Sequence, residues 1–68
     1  MLREYVISSN IRSIGYLNNI LEIEFNDCSI YQYYDVPYTL YNQIMNAPSK
    51  GKFFAAFIKN KYSYKRIF

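Results

Sequence analysis

IRSIGYLNNILEIEF, residues 11–25, contains two runs in which apolar and polar side chains broadly alternate, with a pair of asparagines between them. A period of two marks a strand with one buried face. Asn18-Asn19 suits a two-residue hairpin turn, because asparagine tolerates the positive φ that such turns demand. With Leu17 set opposite Ile20, Ile14 falls opposite Ile23 and Tyr16 opposite Leu21, so apolar partners share a face.

The same register argument extends into SIYQYYDVP, residues 29–37. If Asn26-Asp27-Cys28 is a three-residue loop with Cys28 in the left-handed region, Phe25 pairs with Ser29, Ile23 with Tyr31 and Leu21 with Tyr33. A two-residue loop would turn Gln32 inward beside Leu21, and a one-residue slip of this kind inverts every side chain. The longer loop therefore fits better. The inner face then carries Ile14, Tyr16, Leu21, Ile23, Phe25, Tyr31 and Tyr33, while Ser13, Glu22, Glu24 and Gln32 point to solvent.

Two helices are expected to follow. Asp35 or Val36 would cap the first, with Pro37 in its first turn and its end near Asn46. Leu40, Tyr41, Ile44 and Met45 recur at helical spacing and should face the sheet. Ala47-Pro48 breaks the chain, and Ser49 is a good N-cap for a second helix reaching about Asn60. On its wheel Phe53, Phe54, Phe57 and Ile58 group on the core side, opposite Lys52, Ala55, Ala56 and Lys59. The expected fold class is α+β: a three-stranded antiparallel meander, two helices packed on one face, and a short C-terminal extended segment. Residues 1–68 are expected to form a single domain.

The composition narrows the function. Sixty-eight residues, 51% hydrophobic and 21% aromatic, favour a packed globule over a disordered tail. A single cysteine excludes an internal disulfide and fits a reducing compartment. With no histidine, a tetrahedral zinc site would need mostly carboxylates, so no metal and no cofactor are expected. No apolar run approaches the ~20 residues of a membrane span, and MLREYVISS is not a secretory signal. A soluble cytoplasmic protein without a membrane partner is expected.

No catalytic constellation stands out. Glu22 and Glu24 share a strand face, but no nucleophile, metal or enclosed pocket accompanies them. Ser8 and Ser9 lack a histidine or a glycine elbow to activate them, and Cys28 lacks a basic partner. An enzyme is not expected.

Charge is the stronger signal. Residues 1–47 set Arg3 and Arg12 against five carboxylates, whereas residues 48–68 carry six cations and no acid. A one-signed surface attracts polyanions, which average charge does not. Lys50, Gly51 and Lys52 follow Ser49 at a helix start, where free N–H groups and the positive end of the dipole favour an anion. In the other reading Gly51 relieves crowding and the lysines snorkel. The spacing is not that of a Walker loop. Beyond the helix, Lys59, Lys61, Tyr62, Tyr64, Lys65 and Arg66 interleave cations with rings, a composition suited to phosphates and bases. It suits equally a closing strand with Tyr62 and Tyr64 turned inward.

The whole chain from Val6 to Ile67 resembles the KTSC domain, a short module found at the C-terminus of some lysyl-tRNA synthetases and as stand-alone bacterial or phage-type proteins. The resemblance rests on SSNIRSIGY, on LEIEF followed by IYQYYDVP with Tyr31 and Tyr33 as its Y-x-Y, and on SKGKFFAAFIKNKYSYKRI. It implies a small binding module, with RNA suggested by the synthetase association. Cys28 stands where the family often has glycine. The leading expectation is thus a non-catalytic RNA- or nucleic-acid-binding module. The alternative is a protein-interaction module that docks a partner through tyrosine-rich surface, including Tyr34 and Tyr38.

Overall fold

Five strands, β1 (Arg3–Tyr5), β2 (Ile11–Leu17), β3 (Ile20–Phe25), β4 (Ile30–Tyr33) and β5 (Tyr64–Arg66), form one antiparallel sheet in the order β1-β2-β3-β4-β5. Two helices, α1 (Tyr38–Met45) and α2 (Lys50–Phe57), lie between β4 and β5 in the chain. This computed structural model describes residues 1–68. The expected three-stranded meander is its centre, and the sheet gains a three-residue strand at each edge. The anticipated C-terminal extended segment is β5. Strands this short are set by pairing with distant neighbours rather than by their own pattern.

The central register follows from the hydrophobic pattern. Ile14 lies opposite Ile23, Tyr16 opposite Leu21 and Leu17 opposite Ile20, and both turn asparagines have positive φ, 51° and 66°. Cys28 takes the left-handed conformation at φ 74°, Ile23 pairs with Tyr31 and Leu21 with Tyr33. In β2 the apolar Ile11 and Ile14 are three apart, which strict alternation would send to opposite faces. A bulge at Arg12 resolves this, since Ile11 pairs with Phe25 while Ser13 pairs with Glu24. Both isoleucines are then fully buried.

The helix-side face of the sheet builds the core from Ile11, Ile14, Leu21, Ile23 and Tyr33, joined by Val36, Ile44, Phe54 and Ile58. Leu40, Tyr41 and Met45 of α1 pack against it as their spacing implied. Neither Asp35 nor Val36 caps α1. Pro37 occupies that position without a side-chain bond, because Asp35 is used in a left-handed turn at φ 59° and Val36 is buried. Ser49 does cap α2, its hydroxyl accepting from the Lys52 N–H at 3.4 Å. The helix stops at Phe57, short of Asn60, whose φ of 62° turns the chain toward β5. As a result Phe54 is buried and Phe53 half-buried, but Phe57 is 55% exposed and lies against the Phe53 ring, 4.7 Å between centroids.

The opposite face of the sheet departs from the solvated surface expected of it. Ser13 and Glu22 are buried, at 2% and 4% exposure. The added strand β1 explains why: Arg3 lies opposite Gly15, which in turn lies opposite Glu22. With no side chain at Gly15, the guanidinium reaches across β2 to pair with Glu22. Gln32 donates to the other Glu22 oxygen at 2.8 Å, and Tyr34 donates to Gln32 at 3.1 Å. Arg3 Nε also donates to the Ser13 hydroxyl, which donates to Glu24 at 2.8 Å. The two glutamates thus serve a polar network, and every fully buried side-chain polar atom has a partner.

Candidate functional site

The six C-terminal cations are distributed by α2 and β5. Lys50 and Lys52 lie at the start of α2, and Lys59 and Lys61 follow its end. An eight-residue helix separates the two pairs by about 12 Å. In β5, Lys65 lies opposite Gln32 and so shares the face of the polar network, whereas Arg66 lies opposite Tyr31 on the helix side. The molecule's one ion pair is Arg3–Glu22, so none of these six cations forms an ion pair. Lys50 donates to the Ala47 carbonyl at 3.1 Å and Arg66 to the Phe68 carbonyl at 2.9 Å. Lys52, Lys59, Lys61 and Lys65 have no hydrogen-bond partner on their side chains.

Gly51 has a local explanation. A Cβ there would crowd the amide end of the Asn10 side chain, in the loop that enters β2. The crowding relieved is with the Asn10 side chain, rather than with the sheet or α1. Tyr62 packs against the core as a half-buried ring. Tyr64 is 58% exposed, yet one side of its ring meets Tyr31 at 5.9 Å and Tyr33 at 5.8 Å between centroids.

Those contacts open onto a groove of about 570 Å³ between β4–β5 and the end of α2. Its floor is aromatic, with Phe25, Tyr31, Tyr33, Phe54 and Tyr64. Its rim is polar, with Ser9, Asn10, Asn26, Asp27, Ser29, Lys59 and Asn60. Sequence reasoning brought only Lys59 and Tyr64 to this place. Tyr31 and Tyr33 were legible as inner-face residues, but α2 ends at Phe57, and Tyr31 is left partly exposed while Tyr33 stays buried.

Electrostatics at the groove follow from burial and local bonds. Burial, with Tyr31 and Tyr64 adding to it, pushes the Tyr33 phenol from 10.0 up to about 12, so it is a hydrogen-bond donor throughout the neutral range. Its hydroxyl has no protein partner, and since no fully buried polar atom is unpaired it reaches solvent in the groove. Asp27 is the only carboxylate on the rim. It accepts from the Ser29 hydroxyl at 2.6 Å and the Ser29 N–H at 3.0 Å. These bonds, with a smaller contribution from nearby Arg66, hold its carboxyl below the usual range. No three His, Cys, Asp or Glu side chains stand together where they could hold a metal, and no helix is long and apolar enough to cross a membrane.

The KTSC domain family model matches residues 7–62, which include the whole groove rim, β2, β3, β4 and both helices, with β1 and β5 outside that span.

 The chain belongs to the KTSC domain family. A KTSC domain protein from Yersinia pestis, known from its crystal structure, superposes with a TM-score of 0.96 at 43% identity, over 98% of this chain and 97% of that one. The lysine–tRNA ligase of Trichormus variabilis is 45% identical over 47 residues, and that of Nostoc punctiforme is 43% identical over 47. Each match takes in 69% of this KTSC chain and 8% of the ligase, so the chain spans only a small part of those curated relatives. An uncharacterized protein of Stutzerimonas stutzeri is 37% identical over 70 residues, 98% of this chain and 99% of its own.

Proposed function

We propose that this KTSC domain is a non-catalytic module that binds RNA or another nucleic acid through its basic C-terminal third. The observation that carries the reading is that none of Lys50, Lys52, Lys59, Lys61, Lys65 and Arg66 forms an ion pair, in a molecule whose one ion pair lies elsewhere and where only Arg66 has a carboxylate, Asp27, nearby. Cations matched within a protein add little to its outward field, whereas unmatched ones attract a polyanion and release its counterions on contact. Phosphate contacts of this kind position a strand without reading its sequence. The occurrence of similar sequence in lysine–tRNA ligases, whose name implies an RNA substrate for those enzymes, supports the same reading.

The test is the binding of a labelled single-stranded RNA by the intact chain and by two variants, Lys59→Ala/Lys61→Ala and Lys50→Ala/Lys52→Ala. Binding weakened in both supports a surface running past both ends of α2. A loss confined to the first pair places contact at the groove side alone. Absence of binding by the intact chain at low salt overturns the proposal.

A further inference from the structure

We infer that the aromatic groove between β4–β5 and the end of α2 receives one unstacked base of a single-stranded nucleic acid, with a flanking phosphate held by Lys59 at the rim and Arg66 just outside the lining. The inference rests on the nucleic-acid reading above and assigns it a place and a strand type.

The groove has the build of a site for a flat, partly polar ring. Tyr31 and Tyr64 line the groove as partly exposed rings, tilted at 45° with centroids 5.9 Å apart, while the buried Tyr33 ring stacks beside Tyr31 and supports them. Such rings bind a base by stacking whatever its identity, since every base has a π-face. Its volume, about 570 Å³, falls among clefts that hold small ligands, which span roughly 300–1,000 Å³.

Unused hydrogen-bonding groups face the same space. Tyr33 and Asn60 both line the groove, and the Tyr33 hydroxyl has no protein partner. A base edge offers both donors and acceptors to such groups, whereas an aliphatic side chain of a protein partner offers none.

Charge completes the match. Lys59 is on the rim and unpaired, and Arg66 lies opposite Tyr31 of the floor, close enough to act on Asp27. The one rim carboxylate is already engaged by two bonds from Ser29. A phosphate beside a seated base therefore has Lys59 at the rim, with Arg66, bonded to the Phe68 carbonyl, just outside the lining. Duplex nucleic acid keeps its bases stacked and paired, so only an unpaired strand can present one to the groove.

Three ligands of equal length separate the possibilities: a short single-stranded RNA, the same backbone without bases, and a duplex. The intact single strand should bind the unmodified protein about fivefold or more tightly than the abasic strand, the effect of one stacked base. Tyr64→Ala, at a half-exposed ring, should abolish that difference and leave abasic binding unchanged. Asn60→Gly keeps the positive φ of 62° while removing the amide, and should reduce the difference in part. Equal binding of intact and abasic strands, or duplex binding as tight as single-strand binding, overturns the groove inference and leaves the phosphate reading standing. No binding of any of the three overturns both.

Discussion

Cys28 is the residue at which local conformation and sequence disagree most. Its φ of 74° closes the loop between β3 and β4, and a side chain there costs on the order of 1 kcal/mol relative to glycine. Cys28→Gly should therefore raise stability by up to about 1 kcal/mol, the gain being trimmed by the greater freedom of glycine in the unfolded chain. A thermal melt checks this, and an unchanged or lowered Tm would contradict the register. Tyr33 gives a second test at the same scale. Its phenol is raised to about 12 in the folded chain against 10.0 ordinarily, so the neutral form is favoured by folding. That stability is fully present below about pH 10 and is lost as pH rises through about 12. In an alkaline absorbance titration, Tyr33→Phe should remove the latest tyrosine step and leave the earlier ones.

At the scale of elements, the central hairpin was legible because its side chains alternate and its turn has asparagines at both positive-φ positions. The β3–β4 register followed from keeping Gln32 off the inner face. β1 and β5 were not legible as strands with a defined place, since three residues carry too little pattern and each owes its position to a partner far along the chain. Missing β1 led directly to the misreading of Glu22, which its Arg3 partner covers. Gly15 is the hinge of that arrangement: a Cβ would lie 2.5 Å from the Leu2 carbonyl oxygen and 2.9 Å from the Arg3 side chain. Gly15→Ala should push β1 from the sheet and cost about 1–3 kcal/mol, the range for overpacking a filled site. Hydrogen exchange should show the loss first at residues 3–5, and an unchanged protection pattern there would contradict the packing argument.

For the whole molecule, the candidate site was half legible. The basic C-terminal third is visible in composition, but the groove is not, because it arises where α2 stops at Phe57 and leaves Tyr31 of β4 partly uncovered. The sheet therefore has one face closed by helices except at this groove, and another closed by a polar network anchored on Glu22. Within dimensions of 25 × 24 × 22 Å, the acids of residues 1–47 and the cations of residues 48–68 lie only a few screening lengths apart, each about 8 Å at physiological salt. Lower salt should thus strengthen the pull of the basic segment on a polyanion. The most direct test of the central claim is the slope of log affinity for single-stranded RNA against log salt, measured between ~50 and ~200 mM. Three or four phosphate contacts predict a slope of about −2 to −3. A slope near zero, or no binding at the lowest salt, would contradict the account.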